Sequence, residues 1–235
     1  MPVYTIAGIA VEYDGKYDML VERSRKYIAG KGTEPLFTIQ SNPDIIEMLR
    51  KQYPGVSEAE YEYTDIGSAF NRELLNYGGI MLHASAVAVD GYAYLFSAPC
   101  GMGKSTHTGM WQKLLGEDRA VIINDDKPVI RKIDGIYYAF GTPFSGKHDM
   151  SVNKGFPLKG ICYVCRGEEN RIERLETKNA VAPFLNQTMK PQTMEDYDKM
   201  LDIVDDLISS TPCWLLHCRA DVEAAETAYK AMKGE

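Results

Sequence analysis

Hydrophobic residues recur along the chain with two different periods, and each period predicts a different kind of element. Six segments carry apolar residues every three to four positions, which predicts amphipathic helices; these segments are residues 44–52, 65–77, 105–115, 177–187, 193–209 and 221–232. Short apolar runs predict β-strands at residues 120–123, 160–165 and 213–218.

Three Asp-Gly pairs predict tight turns, because this dipeptide readily takes the positive φ angles of a type I′ turn. The pair at residues 90–91 joins predicted strands 86–89 and 92–96, and the pair at residues 134–135 joins strands 129–133 and 136–140. The pair at residues 14–15 predicts a third hairpin, between residues 1–12 and 17–21.

Hairpins interspersed with helices predict an α/β fold with a mixed β-sheet and flanking helices, not strict βαβ alternation. We expect residues 1–79 to form a small N-terminal α+β subdomain. Residues 80–235 are predicted to form the catalytic core together with the C-terminal helices.

Composition narrows the possible functions. The 235 residues include 26 Lys and Arg against 33 Asp and Glu, for a net charge of −7. This acidic balance argues against a nucleic-acid partner, because phosphate contacts need clustered cations. No apolar run approaches the roughly 20 residues of a membrane span, and the first residues do not resemble a signal peptide. Five cysteines without framework spacing suit a reducing compartment, so we expect a cytoplasmic protein.

The most informative segment is residues 95–106, which read LFSAPCGMGKST. It fits the phosphate-loop pattern GxxxxGK[ST], except that Ala98 replaces the first glycine. A strand is predicted before it and a helix after it, so backbone N–H groups would surround an anion. Lys104 would reach the β- and γ-phosphates of a nucleotide, and Ser105 would ligate Mg²⁺. The predicted nucleotide-binding residues are Ala98, Pro99, Cys100, Gly101, Met102, Gly103, Lys104, Ser105 and Thr106.

Two consecutive carboxylates, Asp125 and Asp126, follow the strand predicted at residues 120–123. A phosphate-loop site needs an acid at a strand end to hold the metal or its waters. Consecutive residues of an extended strand point to opposite faces, so the two carboxylates can hold different roles. One can accept the proton of an attacking hydroxyl while the other faces the Mg²⁺ shell.

The order of these motifs resembles the catalytic domain of HPr kinase/phosphorylase, which shares its fold with phosphoenolpyruvate carboxykinase. The order begins with residues 83–87 (HASAV), continues through the turn at residues 90–91 and the phosphate loop, and reaches residues 124–126 (NDD). Residues 141–147 and 170–175 are similar to short HPr-kinase-related proteins of unassigned substrate. The resemblance covers about residues 81–175.

The resemblance implies an Mg²⁺-dependent kinase that uses ATP, with a serine hydroxyl as the usual acceptor. His83 falls on a histidine that the family holds near the phosphates, and Asp125 falls on the general base, which leaves Asp126 for the metal. Thr106 stands where the family has Glu, and the Arg-rich signature of HPr-directed enzymes is not found. We therefore predict a kinase acting on a serine of a peptide or protein. The alternatives are a kinase for a small-molecule alcohol and a nucleotide-binding regulatory or scaffold module without turnover.

Three weaker features leave alternatives open. Residues 141–149 form either a clamp for the acceptor or γ-phosphate, or a surface connection. His107 either approaches the site or belongs to the core, and its neighbours Trp111 and Leu114 favour the core. The spacing of Cys162 and Cys165 is compatible with zinc, but positions i and i+3 of a strand face opposite sides, which argues against chelation.

Overall fold

The computed structural model describes residues 1–234. The strands are β1 (Val3–Ile6), β2 (Ile9–Glu12), β3 (Phe37–Thr38), β4 (Gly79–Met81), β5 (Ala84–Val89), β6 (Tyr92–Ser97), β7 (Ala120–Asn124), β8 (Val129–Ile133), β9 (Ile136–Phe140), β10 (Gly155–Arg166), β11 (Arg171–Arg174) and β12 (Cys213–Cys218). The helices are α1 (Asp18–Ser24), α2 (Pro43–Gln52), α3 (Glu58–Leu74), α4 (Lys104–Leu115), α5 (Thr177–Asn186), α6 (Met194–Ser210) and α7 (Val222–Lys233).

A nine-stranded mixed sheet forms the centre of the molecule. Its main path runs β4-β8-β9-β10-β6-β5-β7, and β12 joins β10 on the side opposite β6, with β11 beyond it. Strand β10 is parallel to β6 and β12 but antiparallel to β9. The predicted α/β class with a mixed sheet, hairpins and flanking helices is therefore confirmed.

Strand direction brings several loops to one edge of this sheet. Strands β6 and β7 both pair antiparallel with β5, so they run in the same direction. Their carboxyl ends, Ser97 and Asn124, therefore lie at the edge where β5 begins after His83. Strands β10 and β12 end at the same edge because they are parallel to β6. This edge is the usual place for ligand sites in α/β sheets.

Alternating side chains bury both faces of the sheet. Ala86 and Leu95 belong to a core that includes Phe184 of α5 and Leu207 of α6. The residues next to Ala86 and Leu95 in the sequence point to the opposite face of the sheet. There they form a second core with Trp111 of α4 and with residues of α7. Two helices thus cover each face, which fixes the start of α4 relative to the end of β6.

The N-terminal residues form a three-stranded sheet, β1-β2-β3, accompanied by α1, α2 and α3. Their core includes Phe70 of α3, and it extends to Val129 and Phe144 beyond residue 79. The division into a subdomain of residues 1–79 and a core of residues 80–235 stays a prediction.

Most predicted elements are confirmed. The hairpin turns at residues 90–91 and 134–135 have the positive φ angles expected of type I′ turns. The six predicted helices and three predicted strands are present, with ends shifted by a few residues. The largest shift in a helix is that of α3, which begins at Glu58 instead of residue 65. Strand β10 begins five residues earlier than predicted, and α1, β3, β4 and β11 were missed.

The third predicted hairpin is wrong. The turn of the first hairpin lies at Ala7 and Gly8, which have φ angles of 52° and 75°, and it joins β1 to β2. Residues 17–21 fall largely in helix α1. The backbone N–H groups of Lys16 and Tyr17 donate to the Glu62 carboxylate of α3, and this directs the chain into the helix.

Across residues 1–234, no helix combines the length and apolar character that crossing a bilayer requires.

Candidate functional site

The glycine-rich loop runs from the end of β6 to the start of α4 through two left-handed glycines. Gly101 has a φ of 75° and Gly103 a φ of 99°, a region that glycine enters without steric cost. A Cβ atom built on either glycine would meet no other atom within 4 Å. The space over these two residues is therefore open to a ligand.

Helix α4 begins without a side-chain cap. Its N-cap residue is Gly103, which has no side chain, and no other side chain in residues 1–234 takes over this role. The first backbone N–H groups of a helix have no acceptor within the helix itself. Together with the partial positive charge of the helix end, they suit the oxygen atoms of an anion.

Lys104 is buried directly beneath the loop. Its Nζ donates to the carbonyl oxygens of Ala98, at 2.9 Å, and Pro99, at 3.5 Å. Burial lowers the pKa of Lys104, and the charge of the nearby Asp126 opposes that shift. The loop thus holds a cation at the place where the sequence predicts phosphate contacts.

His83 lies between Lys104 and Asp126. Its Nε2 atom is 3.0 Å from Lys104 Nζ and 3.3 Å from Asp126 Oδ1, while Nδ1 is 2.9 Å from Oε1 of Gln187. Nε2 accepts from Lys104 when the ring is neutral and donates to Asp126 when the ring is protonated. The structure thus brings three predicted site residues together.

Asp126 is held in its charged form by its neighbours. Burial acts to raise the pKa of Asp126, but the hydrogen bond with His83 and the charge of Lys127 outweigh it, so the pKa is about 2. Lys127 Nζ donates to Asp126 Oδ2 at 2.6 Å. This carboxylate is therefore anionic, as a ligand for a hard cation must be, and each of its oxygens has a partner in His83 or Lys127.

Asp125 has the opposite electrostatic setting. It is only 5% exposed, and this burial raises its pKa, against the effect of a hydrogen bond from the Gly146 N–H. That N–H donates to Asp125 Oδ1 at 2.6 Å. A carboxylate with a raised pKa is a better proton acceptor than an exposed one, so Asp125 is suited to general-base chemistry.

Ser105 connects the loop to the acidic pair. Its hydroxyl donates to the backbone carbonyl oxygen of Asp125 at 3.1 Å. The start of α4 and the end of β7 are therefore in direct contact, as the sequence-predicted site requires. Thr106, the next residue, is exposed.

Asn124 and Thr142 hold the acidic pair in place, and sequence reasoning assigned neither of them a role. The Asn124 side-chain oxygen accepts from the N–H groups of Asp126 and Lys127, at 2.9 and 2.7 Å. Its amide nitrogen donates to the Thr142 carbonyl at 3.0 Å. An Asn at the end of a strand, followed by a turn, is a recognisable signal for such a side-chain-to-backbone turn.

Residues 141–147 pack against the site instead of forming a surface connection throughout. Thr142, Phe144 and Ser145 are buried. A Cβ atom on Gly146 would lie 2.9 Å from Asp125 Oδ2, so this close approach requires glycine. Whether this segment contacts an acceptor stays a prediction.

The N-terminal helices fasten this segment, which sequence reasoning also missed. Arg23 of α1 donates to the carbonyls of Ser145 and Gly146, at 2.7 and 3.0 Å. The Tyr63 hydroxyl of α3 donates to the same Ser145 carbonyl at 2.8 Å. These pairs are 82 or more positions apart in the chain. No local sequence signal could have found contacts over such separations.

His107 belongs to the core, as its neighbours predicted. It is buried, and its Nε2 accepts from Trp111 Nε1 at 3.1 Å. Its ring also lies 4.5 Å from that of Phe96. Burial lowers the pKa of His107 to about 4, so the ring is neutral at ordinary pH.

A cavity of about 340 Å³ adjoins the loop at the carboxyl ends of β10 and β12. Apolar side chains of Met102, Met110 and Val164 line it, and Arg166 and Arg219 flank it. Arg166 also donates to the Gly101 carbonyl at 3.0 Å. The sequence did not indicate this cavity, because its walls come from three separate segments.

Comparison with known proteins adds little. No family model matches the chain, and no curated protein matches it. The chain is similar to the solved structure of the Hpr(Ser) kinase/phosphatase from Coxiella burnetii, with 12% identity over 66% of this chain and 99% of that chain, at a TM-score of 0.33. A likeness of this size carries no argument about activity, which has to be argued from the site itself.

Proposed function

We propose that this chain binds Mg-ATP at the glycine-rich loop and transfers its γ-phosphoryl group to a hydroxyl, with a serine of a peptide or protein as the acceptor. One observation carries the proposal: the uncapped start of α4 and the buried Lys104 lie beside Asp125, whose pKa is raised. An anion site and a proton acceptor next to each other are the two parts that phosphoryl transfer to a hydroxyl needs.

The loop and the adjoining cavity suit the two halves of a nucleotide. The open space over Gly101 and Gly103 leaves room for phosphates against the N–H groups of α4. The cavity of about 340 Å³ has apolar walls and flanking arginines, and its volume lies within the usual range of small-molecule sites. We infer that the base and ribose occupy this cavity.

The donor set near the loop fits Mg²⁺. Ser105 supplies a hydroxyl oxygen and Asp126 a charged carboxylate, and oxygen is the ligand that this ion prefers. Within the described part of the chain, no three His, Cys, Asp or Glu side chains form a metal-binding group. That suits Mg²⁺, which commonly takes one or two protein ligands and completes its shell with phosphates and water. The ion would neutralise charge on the phosphates.

In the proposed reaction, the acceptor oxygen bonds to the γ-phosphorus while the bond to the β,γ-bridging oxygen breaks and ADP leaves. Asp125 takes the hydroxyl proton, because its buried carboxylate has a raised affinity for it. Lys104 balances charge on the transferred group. His83, within hydrogen-bond distance of Lys104, orients that amine.

Two measurements test the proposal. Titration calorimetry of the protein with Mg-ATP and with Mg-AMP should show tighter binding of ATP, because the loop contacts the terminal phosphates. ADP formation should then rise when serine-containing peptides are added. Binding of ATP without turnover on any peptide or alcohol would favour the regulatory module instead. Equal affinity for ATP and AMP would contradict a phosphate loop.

A further inference from the structure

A second cavity is lined by Gly146, the residue whose N–H contacts the candidate base Asp125. We call it the α1–α3 groove; it is formed by α1, the end of α2, the start of α3 and residues 145–147, and its volume is about 580 Å³. Its walls include Met19, Leu49, Tyr53, Val56 and Tyr61. Tyr53 and Val56, joined by a backbone hydrogen bond between α2 and α3, are 52% and 40% exposed, so the groove has an apolar surface that is open to solvent.

The inner end of the groove reaches the residue that contacts Asp125. Gly146 lines the groove, and its N–H donates to Asp125 Oδ1 at 2.6 Å. Arg23, which also lines the groove, fixes Gly146 through its carbonyl at 3.0 Å. A molecule bound at this end of the groove therefore contacts Gly146, the residue that is hydrogen-bonded to the candidate proton acceptor.

The charges of the groove favour an acidic ligand. Lys147 at the inner end is exposed, and it forms no ion pair with any residue in the range 1–234. The Glu60 carboxylate also lines the groove; it accepts from the N–H and the hydroxyl of Ser57, and these bonds, with the charges of Lys147 and Arg23, lower its pKa. Arg23 adds a second positive charge. The groove thus presents two cations and one carboxylate, for a net charge of +1.

We propose that the α1–α3 groove binds the acceptor as a short peptide segment, with an apolar side chain against Tyr53 and Val56 and an acidic residue opposite Lys147. This inference rests on the proposed function, because it names the acceptor for the same site. A peptide fits better than a small alcohol for a physical reason: the groove joins an apolar wall at the rim to a cation at the inner end, and one extended chain spans both.

The groove can be tested without nucleotide. A library of serine-centred octapeptides with randomised flanking positions is passed over immobilised protein, and the retained peptides are sequenced. We expect acidic and large apolar residues near the serine. Lys147→Glu should reduce retention of acidic peptides by about tenfold and favour Lys- and Arg-containing ones instead, because the charge is reversed. Lys31→Glu is the matched control, since Lys31 is an exposed lysine outside the groove.

A second variant, Tyr53→Ala, tests the apolar wall of the α1–α3 groove. Tyr53→Ala removes an exposed ring but keeps the backbone carbonyl that accepts from the Tyr61 hydroxyl, so α2 and α3 should stay in place. It should weaken the selection of apolar residues severalfold and leave the acidic preference intact. Tyr92→Ala, a similarly exposed tyrosine on β6, serves as the control.

The outcomes separate the two proposals. Retained peptides with the expected preferences, but no phosphorylation of them by Mg-ATP, would support the groove and overturn the proposed function. Phosphorylation of peptides or alcohols that is unaffected by Lys147→Glu and Tyr53→Ala would support the proposed function and overturn the assignment of the groove. Retention of no peptide by the wild-type protein, or a Lys147→Glu selection identical to that of the wild type, would overturn the groove.

Discussion

The starts of helices α3 and α4 solve the same structural problem in opposite ways. At α3, Ser57 and Glu60 form a capping box in which each side chain satisfies a backbone N–H of the other residue. At α4, the corresponding position is Gly103, and no side chain in residues 1–234 caps the helix. The start of α3 therefore has side-chain acceptors for its backbone N–H groups, whereas the N–H groups at the start of α4 have none among the described residues and can bind a ligand.

The start of α4 gives up some stability and keeps backbone N–H groups that can bind a ligand. Glycine at an N-cap costs only roughly a few tenths of a kcal/mol relative to a capping side chain, so its use at α4 is a small loss. A glycine with a φ of 99° adds the conformational freedom that an unfolded chain gains from glycine. These losses of stability occur next to Lys104, Ser105 and Asp125, where the proposed function needs backbone N–H groups that are free to bind phosphate.

The largest effect should come from Asp125, the buried acid whose backbone carbonyl contacts Ser105 at the start of α4. Asp125→Asn should reduce turnover by roughly 10²–10⁴, because an amide cannot accept the hydroxyl proton. The wild-type rate should also fall as the pH drops through the raised pKa of Asp125, since the carboxyl is protonated below it. Steady-state rates against pH measure both effects, and the variant should lack that acid limb.

Asp118→Asn is a suitable control for Asp125→Asn, because Asp118 is an exposed acid just before β7, the strand that Asp125 follows. Near-native turnover in Asp125→Asn would show that another group takes the proton.

Lys104→Ala should reduce turnover by roughly 10²–10³ and weaken Mg-ATP binding, because it removes the cation beneath the loop. Calorimetry and single-turnover rates separate the two effects. Lys113→Ala, on the exposed side of the same helix, should behave like the wild type. If both variants bind Mg-ATP equally, the open end of α4 is not the phosphate site.

Gly103→Asp would place a carboxylate at the start of α4. We expect Mg-ATP affinity to fall about tenfold further than in Gly103→Asn, because a negative charge at a helix start competes with phosphate. The two variants share the backbone strain of the positive φ angle, so their difference isolates the charge. Equal affinities, measured by calorimetry, would mean that anions do not bind there.

Ser57→Ala should have the smallest effect, and it should change stability instead of nucleotide binding. Loss of the capping box at α3 should lower the free energy of unfolding by about 1 kcal/mol. Urea denaturation measures this change. Mg-ATP affinity should be unchanged, because this helix end does not face the loop; a loss of affinity would show that the two ends are coupled.

Sequence periodicity was sufficient for the parts of the fold that depend on local interactions. The hairpins at residues 90–91 and 134–135 follow from turn chemistry, and α4 follows from the glycine-rich segment before it. The adjacency of the loop and the acidic pair followed from the phosphate-loop pattern, which needs an acid at a strand end to hold the metal or its waters. These features depend on turn chemistry and on a short motif, both of which are visible in a single sequence.

The errors and omissions have non-local causes. Residues 17–21 became mostly helix because the Glu62 carboxylate, 45 positions away from Tyr17, accepts backbone N–H groups there. The short strands β3, β4 and β11 have two to four residues each, too few for a period to be visible. The α1–α3 groove and the contacts of Arg23 depend on how distant segments meet, which a single sequence does not display.

The contact between Arg23 and the carbonyls beside the candidate base also has a consequence for synthesis on the ribosome. The ribosome adds Ser145, whose carbonyl accepts from Arg23, 122 residues after Arg23 itself. At about 5–20 residues per second, translation takes roughly 6–24 s to cover that interval. Helix α1 is therefore made long before Ser145 and Gly146 exist. A nascent chain that extends past Asp125 but not to Gly146 would carry the nucleotide loop and an Asp125 carboxylate without the N–H from which it accepts a hydrogen bond.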